Sequence, residues 1–368
     1  MVCLKKLNVL LISVRADHGG GPEHIFRLVK NSDFKKINYY IACPQDEPYY
    51  EKFVSLLGEE KIIIIPHRKF SYKKLMLLRK YIMKNKIDVI HSHGKGAGIY
   101  SRFLKFITKS KVVHTYHGIH LSYNGLINKI YSLYEKVSSL VTYKIICVSS
   151  GEYELAVNKK LVFTPKKLTV VNNGVELVDG NRASYNSFFK IISVTRFNEQ
   201  KNSELAIDII EILINKFMIS NLVLDFIGTG ESKSELERLV KSKGLENKIN
   251  FLGTKDNMQK IMSEYNIFLS TSRWEGLPIA LIEALSVGLP SIVTNVVGNN
   301  DIIISSENGL LFDLEDAYKA AEQIKSLMYN EKEWEYLSNN AFESSEKYDI
   351  HEMVNKIENI YIGCKRGV

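Results

Sequence analysis

Two glutamates in one apolar stretch, "RWEGLPIALIEALSVGLP" from Arg273 to Pro290, are the residues best suited to binding chemistry. Glu275 precedes a glycine–proline turn, and Glu283 stands among alanines, leucines and isoleucines. An ionised carboxylate is very unfavourable to bury without partners, so Glu283 should meet a donor group or a ligand. Pro278 suits the first position of a helix. This places Glu275 just ahead of the predicted helix and Glu283 in its second turn.

A helix N-terminus offers free N–H groups and the positive end of the helix dipole, and both favour a phosphate. Carboxylates on either side of that end could accept hydrogen bonds from sugar hydroxyls flanking a diphosphate. The alternative is a capping carboxylate at Glu275 and a core salt bridge at Glu283. In "SVTRFNEQKNSELAI", Arg196 and Lys201 follow a strand end and also suit a phosphate, since Arg offers paired donors and Lys a compact charge. Two exposed loop cations are the alternative there.

Glycines and histidines form a third group. After the first predicted strand, "DHGGGPEH" has Gly20 and Gly21, which would let the backbone approach a ligand closely. It is not GxGxxG, and an ordinary tight turn is the alternative. His117, in "YHG" at a strand end, suits hydrogen bonding to a ligand. The other histidines near predicted strand ends are His91, His93, His114 and His120.

The sequence predicts no metal site and no cofactor. The histidine spacings fit no zinc pattern. The chain also lacks an Asp-x-Asp pair of the kind that holds a metal on a nucleotide diphosphate. Four scattered cysteines without a CxxC pair suit a reduced, cytoplasmic protein.

Length and charge limit the class of protein. At 368 residues the chain exceeds the usual size of one core, so two domains are expected. Its net charge of +8 is uneven, because residues 1–175 carry 29 Lys and Arg against 12 Asp and Glu, and residues 176–368 carry 20 against 29. Within 61–111 there are 14 basic residues and one acidic residue. This indicates either a solvated basic face or a surface drawn to anionic lipid.

Short apolar runs alternate with helical patterns in both halves. The predicted strands are "LNVLLISV", "KIIIIP", "DVIHSH", "KVVHTYH", "YKIICVS" and "LTVVNNG", then "FKIISVTRF", "LVLDFIGTG", "KINFLG", "NIFLSTS", "PSIVT" and "GLLF". Continuously apolar strands separated by helices predict parallel sheets covered on both faces. We therefore expect an α/β protein with two doubly wound, Rossmann-like domains facing a central cleft. The expected boundaries are 1–175 and 189–345, with a linker at 176–188.

Together these stretches resemble the retaining glycosyltransferases of family 4, which have the GT-B fold, and the resemblance covers nearly the whole chain. Glu275 and Glu283 match the family's E-x7-E motif in its EGLPxxLxEA form, and "VTRFNEQKN" matches its strand–Arg–turn–Lys stretch. "FIGTGE", "FLGTKDN", "VNNGVE" and "ENGLLF" fall where the family has similar segments. The tail, residues 346–368, resembles the C-terminal helix that returns to the N-terminal domain in this fold.

The resemblance implies a role for each matching side chain. Arg196 and Lys201 would hold the diphosphate of a nucleotide-sugar donor, and Glu283 would hold the ribose hydroxyls. Glu275 would contact the donor sugar, and His117 matches a donor-side histidine. The catalytic set implied by the resemblance is therefore His117, Arg196, Lys201 and Glu275.

Backbone groups complete the implied donor site. The residues that match the family at these backbone positions are Gly20, Gly21, Gly276, Leu277 and Pro278. One departure stands out, since the family often has a Gly-Gly pair and a glutamate where this chain has "VVGNNDII", with Gly298 and Asp301. The shorter aspartate leaves a ligand role at that position without support.

The resemblance also implies the reaction. A metal-independent, retaining enzyme would move a hexose-type sugar from a nucleotide-diphosphate sugar, with UDP as the family's usual nucleotide, to a lipid-linked or saccharide acceptor in cell-surface polysaccharide synthesis. In a front-face displacement, the departing phosphate oxygen takes the proton of the acceptor. The basic N-terminal domain, with "SYKKLMLLRKYIMKNK" and "YSRFLKFITKSK", could rest on the inner, anionic face of the cell membrane. Both stretches equally suit helices packed on the sheet.

Two other classes remain open. A sugar-nucleotide 2-epimerase shares this architecture, but it needs carboxylates around the sugar in the N-terminal domain, where only Glu23 stands in a suitable motif. A non-catalytic nucleotide or nucleic-acid binder would use the basic half. It lacks interleaved aromatic and basic residues and leaves Glu283 unexplained, so no nucleic-acid partner is expected.

Overall fold

The computed structural model describes residues 6–119, 125–177 and 182–366. His120 and residues 178–181 of the expected linker lie outside these ranges, as do the last two residues of the expected C-terminal helix. The chain divides into two compact units. Unit 1 combines residues 1–174 with 350–368, and unit 2 comprises residues 175–349.

Strands and helices alternate along most of the described residues, and three helices follow the last strand. The strands are β1 (Leu7–Ile12), β2 (Ile37–Cys43), β3 (Ile62–Ile64), β4 (Val89–His93), β5 (Lys111–Thr115), β6 (Lys144–Cys147), β7 (Leu168–Val170), β8 (Phe189–Val194), β9 (Leu222–Ile227), β10 (Ile249–Phe251), β11 (Ile267–Ser270), β12 (Ser291–Thr294) and β13 (Leu310–Phe312). The helices are α1 (Gly20–Lys30), α2 (Tyr49–Leu57), α3 (Tyr72–Lys84), α4 (Gly94–Ile107), α5 (Gly125–Val141), α6 (Ser150–Asn158), α7 (Ser203–Asn215), α8 (Lys233–Ser242), α9 (Met258–Met262), α10 (Ile279–Ser286), α11 (Ala317–Tyr329), α12 (Glu331–Ser344) and α13 (Ile350–Arg366).

Unit 1 is built on a seven-stranded parallel sheet with the order β3-β2-β1-β4-β5-β6-β7. The strands are almost continuously apolar because both faces of the sheet are covered by helices. On one face, α13 contributes Met353, Ile357 and Tyr361 to the same buried cluster as residues of β1, β2 and α1. The Tyr361 hydroxyl lies 2.5 Å from Nδ1 of His91. The C-terminal helix is therefore part of the core of unit 1.

Unit 2 is built on a six-stranded parallel sheet with the order β10-β9-β8-β11-β12-β13. Two described residues of the expected linker are held on this unit. The Ala183 N–H donates to the Val287 carbonyl at 2.8 Å, and the Tyr185 hydroxyl donates to the Met328 carbonyl at 2.6 Å. The segment before β8 therefore packs on unit 2.

The prediction of two doubly wound, Rossmann-like α/β domains is confirmed by the two parallel sheets. One strand was not predicted, β2 with the sequence "INYYIAC". In the part of the chain that the structure describes, no helix combines the length and the apolar character needed to cross a membrane.

Candidate active site

The strand order of unit 2 reverses between β8 and β11, which are neighbours in the sheet. Open α/β sheets bind ligands beyond the carboxyl ends of their strands at such a point. The loop after β8 carries Arg196 and Lys201, and the loop after β11 carries Glu275. Lys201 and Glu275 are 74 positions apart in the chain, and the topology of the sheet brings them to one edge.

Lys201 and Glu275 contact each other directly. The Lys201 Nζ lies 2.5 Å from Oε1 of Glu275, and the two side chains are 21% and 8% exposed. An ion pair in such a partly buried place is screened less than one on the surface, and removal of one partner would leave the other charge uncompensated. Lys201, which the resemblance places at a phosphate, is therefore in direct contact with Glu275, which the resemblance places at a sugar.

Hydrogen bonds hold the two loops together. The Thr271 hydroxyl donates to the Asn202 carbonyl at 2.9 Å. The side-chain amide of Gln200 donates to the Trp274 carbonyl at 2.9 Å, and the Arg273 N–H donates to the Gln200 carbonyl at 2.8 Å. These bonds fix the backbone that carries the ion pair, so the side chains are positioned before a ligand arrives.

Glycines determine the surroundings of Arg196, which is partly exposed. A Cβ atom on Gly228 would lie 1.8 Å from the carbonyl oxygen of Thr195, and one on Gly230 would lie 2.3 Å from the carbonyl oxygen of Phe197. These two glycines allow their loop to pack against the backbone on both sides of Arg196. The glycines of the "FIGTGE" segment therefore have a packing explanation.

Helix α10 begins one residue later than predicted. Pro278 occupies the N-cap position with φ −71° and ψ 115°, and Ile279 is the first helical residue, because the extended ψ of Pro278 keeps it outside the helix. Leu277, between Gly276 and Pro278, is buried. Glu283 lies in the second turn of α10 and is 7% exposed.

Gly298 supports the loop of Glu275, and no sequence motif indicates this contact. Its φ is +91°, and a Cβ atom there would lie 2.7 Å from the Gly276 carbonyl oxygen and 2.9 Å from the Glu275 Cβ. The Gly298 N–H donates to Oδ2 of Asp301 at 3.0 Å. Asp301, whose role the sequence left open, thus holds Gly298 against the backbone of Glu275 and Gly276.

The residues predicted in unit 1 lie close to one another. Gly20 and Gly21 are the first residues of α1. A Cβ atom on Gly20 would meet nothing within 4 Å, and one on Gly21 would have Cδ2 of His117 as its nearest neighbour at 3.9 Å. The Nε2 atom of His117 lies 3.1 Å from Nδ1 of His93. Gly20 and Gly21 follow β1, His93 ends β4 and His117 follows β5. The strand order of unit 1 reverses between β1 and β4.

His93 determines which ring nitrogen of His117 carries the proton. Among the described residues, Nε2 of His93 is buried without a hydrogen-bond partner. A proton there would leave a buried N–H unpaired, and orphaned buried N–H groups are rare. His93 therefore donates from Nδ1, and His117 accepts at Nε2 and carries its own proton on Nδ1. Because His117 is partly exposed, that N–H can donate to an oxygen of a ligand.

The remaining histidines of this region are core residues with hydrogen-bond partners. His91 contacts Thr115 through Nε2 at 2.7 Å, and Nδ1 of His114 lies 2.9 Å from the Ser92 hydroxyl. His24, which the sequence analysis missed, lies 2.9 Å from the Asn173 side-chain oxygen. Burial lowers the pKa of His24 to about 4 and holds the pKa of His91, His93, His114 and His117 well below 6.5. The ring cluster is therefore neutral at pH 7.

The described residues include one group with metal-like spacing, Asp17, Asp46 and His67, whose ligand atoms lie within 4.8 Å of one another. Arg15 donates to both carboxylate oxygens of Asp17 at 2.6 and 2.8 Å. Nδ1 of His67 lies 2.5 Å from Oδ2 of Asp46. These groups thus already have partners within unit 1. Sequence spacing did not reveal them because each follows a different strand.

Comparisons with known proteins extend this description. Residues 18–179 match the family "Glycosyltransferase Family 4", and residues 179–344 match "Glycosyl transferases group 1". The chain is 30% identical over 255 residues to the O-antigen biosynthesis glycosyltransferase WbnH of Escherichia coli, covering 68% of this chain and 71% of that protein. It is 28% identical over 308 residues to the E. coli UDP-Gal:alpha-D-GlcNAc-diphosphoundecaprenol alpha-1,3-galactosyltransferase, covering 79% of each. The crystal structure of Anabaena HepE with UDP and glucose has a TM-score of 0.80 at 15% identity, covering 96% of this chain and 98% of that one.

The two Rossmann-like domains and these matches define the class of the protein, a glycosyltransferase with the GT-B fold. The chain belongs to glycosyltransferase family 4. The predicted membership of family 4 and the predicted GT-B fold are therefore confirmed.

Proposed function

We propose that the chain moves a hexose-type sugar from a UDP-sugar to a lipid-linked or saccharide acceptor, with retention of the anomeric configuration and without a metal ion. The observation that carries this proposal is the Lys201–Glu275 contact of 2.5 Å at the sheet edge that also bears Arg196. An adjacent cation and carboxylate, each fixed by its loop, suit a donor in which a phosphate and a sugar are joined.

Each residue has a separate part in the proposal. Arg196 and Lys201 bind the diphosphate and stabilise the charge that develops as it leaves. The N-terminus of α10 adds free N–H groups at the same end of the sheet. Glu275 accepts a hydrogen bond from the donor sugar, and Glu283 accepts hydrogen bonds from the ribose. His117 donates from Nδ1 to an oxygen of the sugar.

The proposed reaction forms one bond and breaks one. The acceptor hydroxyl oxygen attacks the anomeric carbon from the face on which the diphosphate leaves, and the bond between that carbon and the phosphate oxygen breaks. The proton of the hydroxyl moves to the departing phosphate oxygen, so no protein base is required. The product keeps the anomeric configuration, and the nucleoside diphosphate stays with Arg196 and Lys201 until it dissociates.

The names of the relatives support the finer parts of the proposal. Two of them act on undecaprenol-diphosphate-linked sugars according to their names, the E. coli enzyme above and an N-acetylgalactosaminyltransferase of Campylobacter jejuni that is 25% identical over 318 residues. We infer a role in cell-surface polysaccharide synthesis, at the cytoplasmic face of the membrane and in contact with anionic lipid. Because these relatives are transferases, they favour transfer over the 2-epimerase alternative.

Product analysis tests the proposal. The full chain is incubated with UDP-, GDP- and dTDP-hexoses and a diphosphoundecaprenol-linked sugar, with and without EDTA. Mass spectrometry detects the transfer, and NMR identifies the anomer. Arg196→Ala should lower turnover by about 10²–10³, or about 3–4 kcal/mol of transition-state stabilisation. Arg238→Ala, an exposed arginine of α8, is the matched control. Equal turnover losses in the two variants, or an inverted anomer, would refute the mechanism.

A further inference from the structure

Glu152 is a buried carboxylate that has no part in the proposed reaction. It is the third residue of α6 and is 1% exposed. An ionised carboxylate in such a place needs hydrogen-bond donors. Its Oε2 accepts from the Val148 N–H at 2.8 Å, and its Oε1 accepts from the Gly118 N–H at 2.7 Å. Glu152 therefore joins the start of α6 to the residue that follows His117.

The bond to Val148 belongs to the cap of α6. Val148 precedes the N-cap residue Ser149, whose hydroxyl accepts from the Glu152 N–H at 3.0 Å. This Ser-x-x-Glu arrangement is similar to a capping box, in which a serine and a glutamate bind free N–H groups at the start of a helix. The bond to Gly118 is different, since Gly118 lies 34 positions before Glu152 and outside the helix. One oxygen of Glu152 thus serves the helix, and the other serves the loop of His117.

The loop of His117 is held on both sides. Before His117, Tyr116 is 3% exposed and its hydroxyl donates to Oε2 of the buried Glu135 at 3.1 Å. After His117, the Gly118 N–H is bound by the carboxylate described above, and Ile119 is buried in a cluster with residues of β6 and α6. The φ of Gly118 is +98°, a conformation that glycine adopts most readily. The chain therefore turns directly after His117, and the bond to the Gly118 N–H fixes this turn.

We propose that Glu152 is a positioning residue for His117. Its bond to Gly118 fixes the backbone, so that the His117 ring keeps Nε2 against Nδ1 of His93 and directs its own N–H to the sugar. Without that bond the ring would be free to shift, and misplacement of a positioned group by about 1 Å can cost about 10² in rate. The inference rests on the proposed function, in which His117 contacts the sugar, and Glu152 acts through His117 without touching the substrate.

Nuclear magnetic resonance (NMR) of the full chain without substrates tests the positioning. Glu152→Met keeps the length of the side chain and removes both acceptor oxygens. With isotopically labelled histidine, the wild type should show His117 with an unprotonated Nε2, and Glu152→Met should show an average of the two tautomers. Ser149→Ala is the matched control, because it removes the cap of the same helix and leaves the bond to Gly118 in place. Its His117 signals should match those of the wild type.

Turnover with UDP-hexoses and a diphosphoundecaprenol-linked sugar shows whether this positioning matters for transfer. We expect Glu152→Met to lower turnover about tenfold when His117 is present. In the His117→Ala background the same substitution should lower it by less than about twofold, because the ring that Glu152 positions is missing. Ser149→Ala should lose stability and keep its turnover. Losses of equal size with and without the His117 ring would show that Glu152 supports the fold alone.

Three further results would overturn the assignment. The His117 signals are unchanged in Glu152→Met, or Ser149→Ala changes them equally, or the Gly118 amide of the wild type exchanges with deuterium as fast as that of a free peptide. The exchange measurement needs no substitution, so it decides even where Glu152→Met does not fold. A chain that meets every NMR expectation but transfers no sugar would refute the proposed function alone.

Discussion

Gly298→Ala tests whether the backbone of Glu275 is positioned by contact with Gly298. The φ of Gly298 is +91°, where a residue with a Cβ costs about 1–2 kcal/mol. The added Cβ would also lie 2.7 Å from the Gly276 carbonyl oxygen, and overpacking of this kind typically costs about 1–3 kcal/mol. We expect the free energy of unfolding to fall by about 2–5 kcal/mol in total.

The same substitution should affect turnover. Relief of the overlap displaces Gly276 and Glu275. The carboxylate of Glu275, which pairs with Lys201, moves with them. Misplacement of a positioned group by about 1 Å can cost about 10² in rate. We therefore expect product formation by Gly298→Ala to fall at least tenfold under conditions in which the variant remains folded.

Gly244→Ala is the matched control. Gly244 follows α8 in the same unit with a φ of +67°, and a Cβ atom there would meet nothing within 4 Å. Only the conformational cost of about 1–2 kcal/mol applies, and turnover should be unchanged. Denaturant unfolding and product formation are measured for both variants. If Gly298→Ala and Gly244→Ala lose equal stability and equal turnover, the contact with Gly276 does not position the site.

Three further predictions concern charge and protonation. Lys201→Met should lower the free energy of unfolding by about 1–3 kcal/mol because the buried Glu275 loses its cation, and Lys201→Met/Glu275→Gln should recover part of the loss in a double-mutant cycle. His93→Phe should reduce turnover because His117 loses its proton donor at Nε2, whereas His93→Asn, which keeps an N–H donor, should retain more. The pKa of His24 is lowered from 6.5 to about 4, so the unfolded chain binds more protons between these values. Stability should therefore fall as pH drops through that range, by about 2 kcal/mol at pH 5, and His24→Gln should lose correspondingly less in denaturant titrations.

Strands with uniform apolar runs could be predicted from the sequence, and β2 could not. Its sequence, "INYYIAC", alternates apolar with half-buried polar residues at its start and becomes fully buried from Ile41 onward. Asn38 and Tyr40 interrupt the apolar run, so a search for continuous apolar runs does not predict the strand. In unit 2 the runs are uniform because the central strands are covered on both faces, and the predicted strands all occur.

Contacts between distant segments of the chain could not be predicted from the sequence. Glu135 of α5 is held in the core by Arg102, which lies 33 positions earlier in the chain, and no local pattern indicates that contact. The Lys201–Glu275 contact likewise depends on the adjacency of β8 and β11. Two separate motifs predicted these residues, E-x7-E for Glu275 and the strand–Arg–turn–Lys stretch for Lys201, and the strand order shows that they meet.

The four charged side chains proposed to bind the donor have no net charge, because the cations Arg196 and Lys201 balance the carboxylates Glu275 and Glu283. Residues 176–368 are net acidic, with 20 Lys and Arg against 29 Asp and Glu, so the net charge of this half does not attract a diphosphate. In the proposed site, an arriving phosphate would compete with Glu275 for Lys201. A sugar hydroxyl on the same donor would then satisfy the released carboxylate, whereas a free diphosphate would leave it buried without a partner. We therefore expect this exchange of partners to favour the intact nucleotide sugar over its diphosphate fragment.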